Sequence, residues 1–145
     1  YDVSPVPGDR VIRNLVTSIA LSYSATSRVQ LKLRLNRDMN ETTFSSNRYY
    51  TSTGARLEAG YSYRRLALNT HASFQVDRYP ETVTIGALTS NRRDDLYGGG
   101  LNIEYKMRPW MSTGLAYTRM QRNSIFLDQY NYKDDKTSFS LRLTF

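Results

Sequence analysis

The chain has no cysteine among its 145 residues. Disulfides and thiolate metal sites are therefore excluded. It has one histidine, His71, and one tryptophan, Trp110. No cluster of His, Asp and Glu has the spacing of a metal site, so neither a metal nor another cofactor is expected. Long apolar runs are missing as well. The uninterrupted stretches resemble Ile19-Ala20-Leu21 in length, against the roughly 20 residues that a membrane-spanning helix needs. No charged-then-apolar leader opens the chain; for an exported protein, the expectation is a mature or trimmed sequence. Acid is scarce relative to base: 20 Lys and Arg against 13 Asp and Glu, a net charge of +7. Such an excess serves either solubility or an anionic partner, and only its position can decide which.

What the chain has is tyrosine, 12 of them, and alternation. Tyrosine is a good strand former with one wet end. Val29-Gln30-Leu31-Lys32-Leu33-Arg34-Leu35-Asn36 alternates apolar and polar without error. Leu66, Leu68, Thr70, Ala72, Phe74 and Val76 form one face of another segment, and Asn69, His71, Ser73 and Gln75 the other. Thr137, Phe139, Leu141, Leu143 and Phe145 alternate with Ser138, Ser140, Arg142 and Thr144. A period of two is the mark of a strand with two unlike faces. Seven segments are expected: Val11–Tyr23, Val29–Asn36, Thr51–Tyr63, Leu66–Val76, Leu96–Met107, Met111–Thr118 and Lys136–Phe145. Residues 1–10, with Pro5, Pro7 and Gly8, read as loop.

The connections alternate in length. Ser24 to Arg28, Arg64-Arg65 and Arg108-Pro109-Trp110 are short; Arg37–Tyr50, Asp77–Asp95 and Arg119–Asp135 are long. Outer-membrane barrels have short turns on the periplasmic side and longer loops outside. Alternation alone does not separate such a barrel from a lipocalin-like one, which keeps its apolar face inside. The loop rhythm favours the membrane. So does the gathering of Tyr23, Tyr61, Tyr63, Tyr105, Trp110 and Phe145 at the short-turn end, as in an interfacial girdle. The fold class expected is all-β: an antiparallel up-and-down transmembrane β-barrel domain over residues 1–145, located in a bacterial outer membrane. Because seven is odd and bacterial barrels usually have even strand numbers, the chain is expected to be the C-terminal part of a larger barrel.

Two resemblances bear on this. The closing strand, with Phe139, Leu141, Leu143 and a final Phe145, resembles the assembly signal of outer-membrane proteins, which implies the barrel-assembly machinery as a partner. The wider pattern runs from Leu101 through Ala116-Tyr117, Arg122-Asn123-Ser124 and Tyr130 to the closing strand, with Arg37 and Tyr49-Tyr50 upstream. It resembles the porin-like outer-membrane β-barrel family associated with exopolysaccharide export clusters. That resemblance implies the outer membrane and porin-like passage or secretion, with a polysaccharide as the solute; the residues themselves give no expectation of an enzymatic role.

On this reading the polar face is a lumen. It carries Lys32, Arg34, Arg56, Glu58, His71, Glu104, Lys106 and Arg142, five basic residues against two acidic ones beside the histidine. An open lumen of that charge favours anions, such as an anionic polysaccharide. Alternatively, opposite charges pair across neighbouring strands, with Arg56 and Glu58 on one strand and Lys106 and Glu104 on another supplying both ends of such pairs; they then plug the interior and leave an anchor, adhesin or sheath around a partner protein. His71 and Ser73 share a face, but side chains two apart on a strand sit about 6.6–7 Å from each other, beyond direct hydrogen bonding. Gly98-Gly99-Gly100 lies within a strand and marks a bulge or spare room. Asp94-Asp95 and Asp134-Asp135 read as solvated loop acids, with Ca²⁺ or a bridge to lipopolysaccharide as the alternatives. Lipid and lipopolysaccharide are the expected surroundings. Nucleic acid is not expected, because the basic residues interleave with leucine instead of grouping on one face.

Overall fold

The computed structural model describes residues 15–41, 49–85, 88–124 and 130–144. They form one antiparallel sheet of seven strands in chain order: β1 (Thr17–Ser24), β2 (Val29–Glu41), β3 (Tyr49–Tyr63), β4 (Leu66–Ile85), β5 (Leu88–Arg108), β6 (Met111–Ser124) and β7 (Tyr132–Leu143). The up-and-down, all-β order is as the alternation predicts. The sheet is open. Among the described residues β1 and β7 are its edges and do not pair with each other. No helix among them is long and apolar enough to cross a membrane, so that question rests on the strands.

The register sorts every strand into the same two faces. Leu21, Leu33, Leu57 and Ala72 are consecutive cross-strand partners; so are Tyr61, Leu68, Ile103, Leu115 and Phe139. On the opposite face run Ser22, Lys32, Glu58, His71, Gly100, Thr118 and Lys136. A slip of one residue would exchange the faces, so the apolar partners pin the register.

Little of the apolar face is covered. Val76 and Tyr79 are the only buried large hydrophobic side chains among the described residues, while Leu21, Leu57, Leu115 and Phe139 stand about half exposed or more. The accessible surface is 11263 Å², against roughly 7,700 Å² expected for a compact chain of this mass. The polar face is the crowded one. A Cβ added to Gly54, Gly60, Gly98, Gly100 or Gly114 would come within 3.1, 3.2, 2.5, 2.6 or 2.7 Å of a neighbouring side chain on that face. At Gly99, which faces the other way, the nearest atom is 3.6 Å off. A sheet curved toward its polar face crowds that face in this manner, and its alternating small residues make the room.

The turn ends are staggered. Following the register from Tyr23 leads through Leu31, Ala59, Thr70, Leu101 and Tyr117 to Thr137. β1 ends one residue past that line, at Ser24, β3 four past it, at Tyr63, and β7 six past it, at Leu143. The sheet therefore shifts by about one residue per strand, the shear that tilts strands in a barrel. With a rise near 3.4 Å and a strand spacing near 4.8 Å, the corresponding tilt is about 35°.

All three expected long loops begin or end as strand; in Arg37–Tyr50, β2 runs on to Glu41 and β3 starts at Tyr49. Asp77–Asp95 is mostly a hairpin: β4 and β5 are 20 and 21 residues long and pair again at Thr82–Asn91 after a register shift between Arg78 and Thr82. Pro80 lies inside that shift. It has no N–H to give the ladder, so the irregularity falls there. β6 runs on to Ser124 and β7 starts at Tyr132, which takes Asp134-Asp135 out of the loop. Gly98-Gly99-Gly100 carries no bulge, since pairing is continuous from Leu66 to Arg78. β1 starts at Thr17, and the expected strand residues 11–14, like the final Phe145, lie outside the described residues.

Candidate functional site

On the polar face charged groups converge from six of the seven strands, β2 to β7. β2 and β3 place Lys32 opposite Glu58 and Arg34 opposite Arg56. Further along the sheet Lys106, Ser112 and Arg142 form one row, and Ala67, Glu104, Gly114 and Ser140 the next. The eight expected residues thus share a face but fall into two groups. Lys32, Arg34, Arg56, Glu58 and His71 lie on β2–β4; Glu104, Lys106 and Arg142 lie on β5–β7, toward the short turns.

Within the first group, Arg56 Nε donates to Glu58 Oε1 at 2.7 Å, both about one-third exposed. This pair runs along β3, not across neighbouring strands as expected. Lys32 and Arg34 have no carboxylate within ion-pair distance among the described residues, nor has Lys106. Several grooves follow the face. One of about 300 Å³ is lined by Lys32, Glu58, Asn69, His71 and Asn102. One of about 520 Å³ is lined by Glu104, Gly114, Ser140 and Arg142. A third of about 520 Å³ crosses from Ser18 through Arg34, Ser73 and Gly98 to Met120. A groove spanning so many strands needs a concave floor, and the glycines form it. No hydrogen bond joins His71 to Ser73 among the described residues. They face Gly100 and Gly98 separately.

At the long-connection end the same face is filled. Ser52, Asp77, Arg92 and Asp94 are buried. Ser52 Oγ donates to Asp77 Oδ1 at 2.6 Å, and Gln75 Nε2 donates to the same oxygen at 2.9 Å. Arg92 forks onto Asp94, with Nη2 to Oδ2 at 2.6 Å and Nε to both carboxylate oxygens at 3.1 Å. The Arg92 guanidinium also lies 4.6 Å from the Tyr79 ring and 3.8 Å from the Tyr130 ring. Tyr79 stacks on Tyr50 at 5.1 Å. Burial opposes the Arg92 charge, but the bond and charge of Asp94 outweigh it and hold the guanidinium above its usual value. Burial likewise pushes the Tyr79 phenol up, against the pull of Arg92.

The acids expected in loops are thus strand residues with cationic partners. Asp94 takes Arg92 on the polar face, Asp95 takes Arg93 at 2.9 Å on the other, and Asp134 takes Lys136 at 2.9 Å. A calcium reading of Asp94-Asp95 is accordingly disfavoured. The sequence reading missed Tyr50, Ser52, Asp77, Tyr79, Arg92 and Tyr130. The available signal was Arg92-Arg93-Asp94-Asp95, whose charges complement at every second residue. Of the closing-strand residues, Phe139, Leu141 and Leu143 stand together on the apolar face of edge strand β7, exposed by 73%, 57% and 47%; Phe145 lies outside the described residues. No protein-family model, curated protein or solved structure matches this chain.

Proposed function

We propose that this sheet forms part of an outer-membrane β-barrel, with its apolar face in lipid and its polar face lining a porin-like path across the membrane. The observation that carries the reading is the sorting of faces: a curved sheet with its charges in the crowded concavity and its leucines outside. A soluble barrel does the reverse. The dimensions agree. The apolar side of β4 runs from Leu66 to Val76 and that of β5 from Tyr97 to Met107, ten residue steps each. At about 35° of tilt, such a stretch rises about 28 Å, close to the apolar band of about 25 Å in such barrels.

The solute class the lumen fits is an anionic one, an acidic polysaccharide in an export role, drawn by Lys32, Arg34, Lys106 and Arg142. β1 and β7 both run toward the short turns. Joined directly, they would pair parallel. A fully antiparallel barrel closes only with an odd number of further strands between them. The test has two parts. Single cysteines, introduced into a chain that has none, should react with a water-soluble maleimide at Ser73 or Ser140 in reconstituted protein and stay protected by lipid at Leu33 or Leu115. Protection at the polar positions instead would sink the membrane assignment. Planar-bilayer recording then decides between passage and a plugged barrel serving as anchor or sheath. The buried Ser52–Asp77 and Arg92–Asp94 groups at one end favour that second reading, and silence in the bilayer would select it.

A further inference from the structure

The three short turns carry four arginines, Arg28, Arg64, Arg65 and Arg108, and no acid. Among the described residues none of the four pairs with a carboxylate. The arrangement brings like charges together. The Arg28 guanidinium lies 4.6 Å from the centre of the Tyr63 ring and the Arg64 guanidinium 5.2 Å from the centre of the same ring. Arg64 also holds a left-handed backbone, φ 52°, the only non-glycine to do so among the described residues. A two-residue hairpin turn of this kind favours Asn-Gly, which accepts positive φ without strain. Here two arginines occupy it. Arg65 spends one N–H on the Met107 carbonyl at 3.3 Å, and its other guanidinium N–H groups have no acceptor among the described residues.

Along the strand axis the layers are ordered. Leucines come first, at Leu31, Leu57, Leu101 and Leu115. Tyr61, Tyr63, Tyr105 and Trp110 follow, exposed by 38%, 37%, 44% and 48%. The arginines come last. Acyl chains, the glycerol and carbonyl zone, and phosphate succeed one another in the same order across half a bilayer. At the opposite end, among the described residues, Arg92, Arg93, Arg119 and Lys136 each face an aspartate, while Arg78, Arg122 and Lys133 lie on the strands there, away from the short turns.

We infer that the short-turn end binds the phosphate groups of anionic phospholipids, with Arg28 and Arg64 clamping one headgroup over Tyr63, and Arg65 and Arg108 engaging others beside Trp110. Guanidinium forks match phosphate oxygens in pairs, and an anion between Arg28 and Arg64 removes their repulsion. This rests on the membrane reading above. The experiment measures partition of the full chain into vesicles by the emission of Trp110, the chain's one tryptophan. One vesicle population is pure phosphatidylcholine; the other holds one part phosphatidylglycerol to two of phosphatidylcholine. At low salt the native chain should prefer the anionic vesicles at least about tenfold, and salt should erode the preference. The variant R28Q/R64Q/R65Q/R108Q should insert into phosphatidylcholine as before but show no preference. A control with R119Q/R122Q/K133Q/K136Q should keep it, and inorganic phosphate at equal concentration should not compete. Insertion without preference, or an unchanged preference in the four-arginine variant, overturns this inference alone. Failure of the native chain to enter either vesicle overturns the membrane reading and this inference with it.

Discussion

Replacing Leu33 by arginine tests the placement of the apolar face most directly. Leu33 pairs with Leu21 on one side and Leu57 on the other. It lies five residues from Arg28 in the first turn. Five steps at 3.4 Å make about 17 Å of strand, or about 14 Å along the membrane normal at 35° of tilt. Half of a hydrocarbon core is about 15 Å, so the substitution puts a guanidinium near mid-membrane. An arginine at that depth on a barrel's lipid face costs about 2–4 kcal/mol. The unfolding constant should rise by a factor of about thirty to a thousand. The assay is reversible urea unfolding from phosphatidylcholine vesicles, followed by Trp110 fluorescence. The control is Gln30→Arg on the same strand, whose side chain lies on the polar face beside Gly60; it should change stability by less than about 0.5 kcal/mol. If Leu33→Arg costs no more than Gln30→Arg, the apolar face does not meet lipid.

The basic excess of the polar face should bias conductance toward anions, read as the reversal potential across a salt gradient, and the pair R34Q/R56Q should weaken the bias; a cation preference in the native protein would remove the selectivity claim. Asp94→Asn takes the carboxylate charge from Arg92, whose side chain is 6% exposed, and should cost about 3–5 kcal/mol in urea unfolding. The double replacement of Arg92 and Asp94 by leucine should recover most of that loss, and no recovery would mean that the pair is not what holds this end together. Gly100→Ala would set a methyl 2.6 Å from His71 Cε1 and 3.0 Å from Thr118 Cγ2, an overpacking worth about 1–3 kcal/mol. His71→Ala in the same chain should return part of it, and equal stabilities with and without His71 would show that the imidazole is not the obstacle.

The parts of this fold legible in the sequence are those where the two faces differ in polarity. From Val29 to Asn36 and from Leu66 to Val76 every second residue is apolar or small, and the observed register preserves that phase across all the strands. The legibility stops at Asp77 and Arg93 because both faces become polar there. A strand whose two faces are equally wet has no period-two hydropathy, and Pro80 adds a false mark of loop, yet the ladder continues after one irregular step. The signal that survives is charge. Residues i and i+2 of a strand stand on one face about 7 Å apart at the backbone, within reach of an arginine fork folding back on a shorter acid. Arg56–Glu58, Arg92–Asp94 and Arg93–Asp95 all use that spacing. The expectation of cross-strand neutralisation was therefore wrong about direction: apart from Arg119–Asp135, at a looser 3.8 Å, the described ion pairs run along strands. A same-strand pair needs no particular register to form. It lowers the net charge of a face while leaving the neighbouring strand's charges unopposed, so among the described residues Lys32 and Arg34 have no carboxylate partner even though Arg56 beside them is neutralised.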